Sequence, residues 1–352
     1  MATIELESVT CFAGFDRVLD AVDLAIRDAE LMALIGPSGS GKTSILRVIA
    51  GLDTVTSGRV LFDDVDMTSA STRERDVAMV FQPNTLFRAH TVRRNVGFPL
   101  WIRRRSRREI DQRVTAEARA LDIEGVLDRW PDELSDGHQR LVQIARAMIR
   151  TPRVFLLDEP LARLDPPTRI KLRRELRTLQ SGYGVAMVYA TSNPEEALAL
   201  GDRVAVVEGG RIVQVDEPRT LWHHPANRST AELTGPMAFI DVSVDRDGHG
   251  YTVSAPGLRL RAWTPALGDL PHGRAVVGVR PEDIRLADLG PITATLGRVV
   301  FDGAHRGREV VVGNSRLASR LEDTREDGTE VSIAFERWHM FHPSGPTICT
   351  VG

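Results

Sequence analysis

The sequence predicts an α/β domain with a largely parallel sheet over residues 1–235, followed by a smaller all-β domain over residues 236–352. Three observations lead to this prediction. Short apolar runs, typical of buried strands, alternate with helical patterns in the first part. A glycine-rich turn joins one of these runs directly to a helical pattern. Beyond Gly235-Pro236 the β-like runs are short and are cut by Gly, Pro and Asp, and long helical patterns end.

Hydrophobic periodicity predicts the elements of the first domain. Thr3–Thr10 alternates apolar and polar residues, which is typical of a half-buried strand. Continuous apolar runs predict buried strands at Leu31–Ile35, Val77–Phe81, Arg153–Leu157, Val185–Tyr189 and Val204–Val207. Apolar residues at helical spacing predict helices at Thr43–Ala50, Glu109–Leu121, Gln139–Arg150 and Thr168–Gln180.

The second domain is expected to consist of short strands. They fall at Tyr251–Val253, Ala275–Val279, Arg298–Phe301, Glu309–Val312 and Glu330–Phe335. Several short strands separated by turn residues favour a small OB-like barrel.

Composition limits the class of protein. The 352 residues are 42% hydrophobic and 26% charged, as in ordinary soluble globular proteins. The 45 basic and 48 acidic residues leave a net charge of −3, which argues against a nucleic-acid binder. Cys11 and Cys349 have no metal-ligand spacing, so a reducing, cytoplasmic environment is expected. Neither a signal peptide nor a membrane-spanning apolar stretch is visible, so we expect other chains to supply any transport pore.

The segment Gly36–Thr43 matches the phosphate-loop pattern G-x-x-x-x-G-K-[ST], between a predicted strand and a predicted helix. Its glycines let consecutive N–H groups point at phosphate oxygens, and the helix N-terminus adds partial positive charge. Lys42 is expected to reach the β- and γ-phosphates of ATP, and the Thr43 hydroxyl to bind Mg²⁺. The expected nucleotide contacts are Ser38, Gly39, Ser40, Gly41, Lys42, Thr43 and Ser44.

Val154–Glu159 is an apolar run that ends in two carboxylates. Phosphoryl transfer needs a metal-holding acid and a group that orients water, both beside the phosphate loop. Asp158 is therefore expected to hold Mg²⁺, usually through water, and Glu159 to polarise the attacking water.

These two motifs and three others resemble, in order and spacing, the motifs of ABC-transporter ATPases. The resemblance is to the ATP-binding subunits of carbohydrate importers of the maltose type, and it covers nearly the whole chain. Met79–Gln82 resembles the Q-loop, Leu134–Arg140 the LSGGQ signature and Leu161–Asp165 the D-loop. Val277–Ile284 resembles a segment of the regulatory β domain of sugar-importer ATPases. The resemblance implies a P-loop ABC-type nucleotide-binding domain with a helical subdomain at about 85–150.

The resemblance also implies how such a chain works. Two subunits, as a homodimer or a heterodimer, enclose two ATP molecules, and Ser135 and Gly137 of one signature complete the γ-phosphate site of the other subunit. Gln82 is implied to sense the γ-phosphate and Mg²⁺, so Thr43, Gln82 and Asp158 are the implied metal ligands. The implied partners are two transmembrane permeases and, indirectly, an external substrate-binding protein. The chain is then peripheral, at the cytoplasmic face of the cell membrane.

The signature and the switch depart from the family pattern. Asp136 and His138 stand where the family has Gly and Gln, and Asp136 puts a negative charge beside a triphosphate. Ser192 occupies the place of the switch histidine, which normally holds the γ-phosphate and the attacking water in register with the acid. A serine is shorter and uncharged, so this pre-organisation is weakened.

The D-loop and the adenine contact also depart from the pattern. Ala162-Arg163 replaces the Ser-Asn that is common in the D-loop. The aromatic residue that stacks on adenine falls at Ala13. Phe12 or Phe15 supplies a candidate ring instead, and either is equally suited to packing.

Three hypotheses follow. The leading one is an importer ATPase for a sugar or a related small solute, with Glu159, Gln82 and Ser192 as catalytic residues and with hydrolysis that is slow or rescued by local rearrangement. The second is a nucleotide-binding, poorly hydrolysing partner in an asymmetric complex. The third is a soluble ABC ATPase without a transport role. It is disfavoured because such relatives usually carry two nucleotide domains in one chain or long coiled-coil insertions.

Overall fold

The computed structural model describes residues 2–162, 164–247, 250–262, 273–288, 290–301 and 306–352. It divides into two compact units, Met1–Pro218 and Arg219–Gly352, so the division comes earlier than the predicted boundary at 235/236. The buried Arg280 is one of the residues that tie the preceding segment to the second unit: its guanidinium donates to the carbonyl of Trp222 at 3.1 Å and to the hydroxyl of Thr234 at 3.0 Å. The two helices before residue 235 therefore belong to the second unit.

The first unit alternates strands and helices. Its strands are β1 (Ile4–Ala13), β2 (Asp16–Ile26), β3 (Leu31–Ile35), β4 (Ser57–Phe62), β5 (Val65–Asp66), β6 (Val77–Val80), β7 (Val154–Asp158), β8 (Ala186–Thr191), β9 (Arg203–Glu208) and β10 (Arg211–Asp216). Its helices are α1 (Lys42–Ala50), α2 (Thr72–Arg75), α3 (Val92–Ile102), α4 (Arg107–Ala120), α5 (Asp136–Met148), α6 (Pro166–Tyr183) and α7 (Pro194–Leu200).

The main sheet has six strands in the order β10-β9-β3-β8-β7-β6. The neighbours from β9 to β6 pair in parallel, and β10 pairs with β9 in antiparallel fashion. Both faces are covered: along β7, Phe155 and Leu157 enter one core, and Val154 and Leu156 enter the other. Burial on both faces explains the continuous apolar runs, and the predicted, largely parallel sheet is confirmed.

A second, antiparallel sheet of four strands, β2-β1-β4-β5, packs into the core that also contains α1. The predicted first strand lies here, as β1. The sequence patterns did not predict β2 and β4, which flank it.

The helices α3, α4 and α5 form the helical region expected at about residues 85–150. Each begins at a hydroxyl N-cap: Thr91 for α3, Ser106 for α4 and Ser135 for α5. Because Ser135 caps α5, this helix starts at Asp136, before the predicted start at Gln139. Over the ranges that the structure describes, no helix is both long and apolar enough to cross a membrane.

The second unit is mostly β, as predicted. Two helices, α8 (Pro218–His223) and α9 (Arg228–Thr234), precede β11 (Ala238–Asp247), β12 (Gly250–Ala255), β13 (Leu258–Ala262), β14 (Ala275–Val279), β15 (Ile284–Leu286), β16 (Ile292–Phe301), β17 (Arg306–Val312), β18 (Ser315–Ser319), β19 (Glu330–Phe335), β20 (Trp338–Phe341) and β21 (Thr347–Val351). These strands form one eleven-stranded sheet, and the pairs are antiparallel. Closure into an OB-like barrel stays a prediction.

The helix that follows the phosphate loop ends against a buried arginine. Arg75 is 1% exposed, and its guanidinium donates to the carbonyls of Val48 at 2.5 Å and Ile49 at 3.0 Å, in the last turn of α1. It also donates to the carbonyls of Ala70 at 3.1 Å and Thr68 at 2.9 Å. Burial lowers the pKa of Arg75. One side chain thus adds hydrogen-bond donors to the carbonyls at the end of α1, where Val48 also accepts the N–H of Gly51 at 3.1 Å.

Arg75→Met keeps the side-chain length but removes these hydrogen bonds. We expect the free energy of unfolding to fall by about 2–4 kcal/mol, because buried carbonyls lose their partners. Urea unfolding followed by circular dichroism measures the change. Arg73→Met is the matched control, since Arg73 is exposed on the same short helix, and it should cost less than about 0.5 kcal/mol. Equal effects of the two substitutions would contradict the capping role.

Candidate functional site

The motifs predicted to bind nucleotide meet at one edge of the main sheet. Because β3, β8, β7 and β6 are parallel neighbours, their carboxyl ends lie side by side. The phosphate loop follows β3, Asp158 ends β7 and Glu159 comes directly after it, Ser192 follows β8, and Gln82 follows β6. Open α/β sheets bind ligands at this edge.

The phosphate loop needs glycine at two positions for different reasons. A Cβ on Gly36 would lie 2.1 Å from the carbonyl oxygen of Val207. Gly41 has a φ of +110° and caps α1 without a side-chain bond. The hydroxyl oxygen of Ser40 is buried without a hydrogen-bond partner, beside the N-terminus of α1, where a phosphate oxygen would supply one. Of the other predicted loop contacts, Ser38 and Gly39 are exposed and Ser44 is half-buried.

Lys42 is folded back onto the phosphate loop. Its Nζ donates to the carbonyl oxygens of Gly36 at 2.7 Å and Pro37 at 2.8 Å. Burial lowers the pKa of the Lys42 ammonium, and the charges of Glu159 and Asp158 oppose that shift. A buried ammonium that rests on neutral carbonyls can exchange them for the charged oxygens of a phosphate, which are stronger acceptors.

Thr43 and Asp158 meet beside Lys42. The Thr43 hydroxyl lies 3.0 Å from both carboxylate oxygens of Asp158. Asp158 is 5% exposed, and burial raises the pKa of its carboxyl, while the hydrogen bond from Thr43 opposes that shift. Hydroxyl and carboxylate oxygens are the hard ligands that Mg²⁺ prefers. The residues present therefore fit the predicted magnesium site.

Glu159 combines a strained backbone with a side chain next to the Q-loop. Its φ is +43°, in the left-handed region that disfavours residues with a Cβ. Its N–H donates to the carbonyl of Ala190 on β8 at 2.9 Å. The side-chain amide of Gln82 donates to Glu159 Oε2 at 3.4 Å. Two predicted catalytic residues are thus in contact, and the role of Gln82 as a metal ligand stays a prediction.

Sequence reasoning missed the side chains that hold the Q-loop main chain and the residues just after it. They lie on α5, at a spacing of three residues among apolar neighbours, and this polar stripe was the available signal. Arg140 donates to the carbonyls of Phe81 (2.9 Å) and Gln82 (2.8 Å), Gln143 to Asn84 Oδ1 (2.8 Å), and Arg146 to the carbonyl of Thr85 (2.9 Å). The helix that carries the signature therefore also fixes the Q-loop.

The signature forms the first turn of α5. The hydroxyl oxygen of Ser135 accepts the main-chain N–H of His138 at 3.4 Å and lies 2.9 Å from Nδ1 of the same residue. A Cβ on Gly137 would lie 2.9 Å from a methyl group of Thr168 on α6, so glycine permits this close packing. Asp136 is exposed. The predicted contacts Ser135 and Gly137 thus lie at a helix N-terminus, which suits an anion.

Ser192 is exposed at the end of β8, in front of a buried carboxylate. Oε2 of Glu196, which is 4% exposed, accepts hydrogen bonds from the hydroxyls of Tyr189 and Thr191, both at 2.8 Å. Arg169 Nε lies 3.6 Å from the other oxygen of Glu196. Burial, together with the Glu196 charge, raises the pKa of Tyr189. The backbone beside Ser192 is firmly held, so the departure from histidine is confined to one side chain.

The candidate adenine rings and the D-loop are the remaining predicted positions. Phe12, the predicted adenine contact, is 46% exposed in the hairpin of β1 and β2, and Phe15 is fully exposed. A ring must be exposed to stack on a base, but the contact itself stays a prediction. In the D-loop, Arg163 lies outside the described residues, whereas Asp165 caps α6.

Known proteins resemble this chain in sequence and in fold. The family described as "ABC transporter" matches residues 19–162. The sn-glycerol-3-phosphate import ATP-binding protein UgpC of Rhizobium meliloti is 40% identical over 98% of this chain and 99% of its own. The trehalose/maltose import ATP-binding protein MalK of Thermococcus litoralis is 36% identical over 97% and 98%. The dimeric, post-hydrolysis structure of the ATP-binding cassette MJ0796 with ADP and Pi has a TM-score of 0.56 at 30% identity and covers 61% of this chain and 99% of that one.

The fold and the ordered motifs at the sheet edge define an ABC-type ATPase. The chain belongs to the ABC transporter family, as an ATP-binding subunit of its import systems.

Asp158→Asn separates the stability of the site from its function. Because burial raises the pKa of this carboxyl, its ionised form is less favourable in the folded chain than in the unfolded chain, and stability is lost as the pH rises through the shifted pKa. At pH 7.5 we expect Asp158→Asn to raise the melting temperature without nucleotide and to abolish the Mg²⁺-dependent stabilisation by ATP. Thermal unfolding with and without Mg·ATP measures both effects.

The control for this prediction is Asp128→Asn, because Asp128 is exposed in the helical region. It should leave both melting temperatures unchanged. A lower melting temperature of nucleotide-free Asp158→Asn would contradict the sign of the argument.

Proposed function

We propose that this chain hydrolyses ATP to drive the import of a sugar or of a related small solute such as a glycerol phosphate ester. One observation carries the proposal: Lys42, the pair of Thr43 and Asp158, and the pair of Glu159 and Gln82 lie at one sheet edge. These groups supply a cation for the phosphates, oxygen ligands for Mg²⁺ and a carboxylate for the attacking water.

The substrate class rests on the relatives. UgpC is named for sn-glycerol-3-phosphate and MalK for trehalose and maltose, and both align with the second unit as well as the first. A small polyhydroxylated solute, free or as a phosphate ester, is what these names share. We propose that the permeases and an external binding protein select it, so that this chain supplies energy rather than specificity.

Each residue of the site then has one task. Lys42 leaves the carbonyls of the loop and binds the β- and γ-phosphate oxygens. Thr43 and Asp158 hold Mg²⁺, which when bound neutralises charge on those oxygens. Glu159 orients the attacking water and accepts its proton. Gln82 contacts this carboxylate and links it to the Q-loop.

The complete site needs a second subunit. We propose that two copies of the chain, or one copy and a related subunit, enclose two ATP molecules. Ser135 and the N–H groups of the first turn of α5 contact the γ-phosphate held by the other subunit. ATP closes this dimer and hydrolysis reopens it. The dimeric state of MJ0796 with ADP and Pi supports this arrangement.

A cleft of about 840 Å³ beside the Q-loop supports docking to a permease. It is lined by β6, α3 and α5, with apolar groups such as Phe98 and Ile102 and the cations of Arg103, Arg146 and Arg150. Because α5 also holds the Q-loop main chain, a permease segment in this cleft is coupled to Gln82. We propose that this docking places the chain at the cytoplasmic face of the membrane.

The side chain at the switch position limits the rate. Ser192 cannot reach as far as an imidazole, so the γ-phosphate and the water are less well ordered. We therefore propose hydrolysis that depends on Glu159 but is slow. Ser192 and the acidic signature residue Asp136 also favour the alternative, a nucleotide-binding partner that hydrolyses poorly beside a different ATPase.

Glu159→Gln keeps the side-chain size but removes the base. In vesicles that contain the chain and its permeases, we expect ATP turnover to fall at least about 100-fold while ATP still binds. Phosphate release and uptake of labelled sn-glycerol-3-phosphate and maltose measure the effect. Glu109→Gln, at a half-buried position on α4 that has no predicted nucleotide contact, should change neither. Turnover that survives Glu159→Gln would refute the catalytic role, and a wild-type chain without turnover would favour the alternative.

Ser192→His places an imidazole at the switch position, which is long enough to contact the γ-phosphate and the attacking water. We expect the kcat for ATP hydrolysis to rise at least about tenfold, because the imidazole orders the γ-phosphate and the water. Ser192→Ala is the matched control and should stay near the wild-type rate. If histidine and alanine give the same kcat, the switch position does not limit the reaction.

A further inference from the structure

The signature of this chain contains a histidine that bonds to the signature serine. Nδ1 of His138 lies 2.9 Å from the hydroxyl oxygen of Ser135, and the main-chain N–H of His138 donates to the same oxygen at 3.4 Å. Both residues belong to the start of α5, where the γ-phosphate of the opposite subunit is proposed to bind. The hydroxyl that this phosphate needs is therefore already engaged within its own turn.

The direction of this hydrogen bond decides whether the Ser135 hydroxyl presents its proton or its lone pairs to an anion. A serine hydroxyl has one proton and two lone pairs. When Nδ1 carries no proton, it accepts the hydroxyl proton, and the oxygen turns its lone pairs toward an incoming anion. When Nδ1 carries a proton, the ring donates to the oxygen, and the hydroxyl proton is free for a phosphate oxygen. Only the second arrangement stabilises the anion.

Asp122 is the charged residue whose electrostatic interaction with His138 the structure shows, and further charged groups lie on the neighbouring elements. Asp136 is on the same helix as His138, and Asp122 follows α4. The pKa of Asp122 is lowered mainly by its hydrogen bond from Lys171 and also by His138. On α6, Lys171 Nζ lies 2.9 Å from Asp122 and 3.7 Å from Glu175. Asp122 is a counter-charge for an imidazolium at His138, and the ion pair of Asp122 with Lys171 opposes this effect.

We propose that His138 is a positioning residue, which aims the Ser135 hydroxyl at the γ-phosphate held by the opposite subunit only when its Nδ1 carries a proton. This inference rests on the proposed function, because it requires a signature that contacts nucleotide across a dimer. The dimer then closes more readily as the pH falls. The imidazolium frees the hydroxyl proton, whereas a neutral ring must first hold its proton on Nδ1.

The test is ATP-driven dimerisation of the full-length chain, which does not depend on turnover. Every variant carries Glu159→Gln so that ATP is not consumed. Light scattering records dimer formation against Mg·ATP concentration from pH 6.0 to 8.5. With His138 present, we expect the ATP concentration for half-maximal dimer to rise at least about tenfold across this range, as the loss of one charge-assisted hydrogen bond predicts.

Three substitutions interpret the result. His138→Gln places an amide that does not titrate there, and the pH dependence should disappear. His342→Gln, at an exposed turn of the second unit, is the matched control and should keep it. Ser135→Ala should weaken dimerisation at every pH and remove most of the pH dependence, although the ring remains.

Failure of the role of His138 and failure of the proposed ATP-closed dimer give different results. A dimer that forms with no pH dependence, or with the same dependence in His138→Gln, overturns the role of His138 and leaves the proposed function standing. Full pH dependence in Ser135→Ala shows that the ring does not act through the hydroxyl and also overturns the inference. If ATP gives no dimer at any pH in any variant, the proposed ATP-closed dimer fails, and the inference fails with it.

Discussion

The parallel register of β3, β8 and β7 sets the distances of the nucleotide site. Ile35 pairs with Thr191, and Asp158 pairs with Ala190, so the three strands end at nearly the same level. The phosphate loop, the switch and the acids leave the sheet from positions fixed by main-chain hydrogen bonds, whatever side chains follow. The frame of the site is therefore independent of the residues that perform chemistry in it. For this reason serine in place of histidine at position 192 changes one side chain of the site and leaves the main-chain geometry unchanged.

The helix α5 joins the signature and the Q-loop, which lie far apart in the sequence. Its first turn is the signature. Its middle holds the Q-loop through Arg140, and the segment just after the Q-loop through Gln143 and Arg146. The cleft beside the Q-loop shares the last two of these side chains. Because one helix contacts all three places, a displacement of α5 moves the signature and the Q-loop together, as expected of a rigid-body element. A partner bound in the cleft would therefore act on the Q-loop of this chain's own nucleotide site and on the signature proposed to serve the opposite subunit.

Local patterns predicted the main sheet because strands buried on both faces are continuous apolar runs; Leu31–Ile35 has the same bounds in sequence and structure. They missed β2, whose alternation is broken by polar residues and whose pairing with β1 contains bulges. The domain boundary differed because contacts such as the hydrogen bonds of Arg280 tie the preceding helices to the second unit, and composition does not reveal them. The phosphate loop could be predicted from its sequence motif. The hydrogen bond between His138 and Ser135 could not be predicted, because it depends on the side-chain rotamers within one helical turn.

The left-handed backbone of Glu159 has a cost in stability. A residue with a Cβ costs about 1–2 kcal/mol in that conformation, and glycine or asparagine relieves most of it. The turn after β7 would therefore be more stable without a side chain at residue 159. Its strain is a stability cost that accompanies the carboxylate proposed to orient the attacking water.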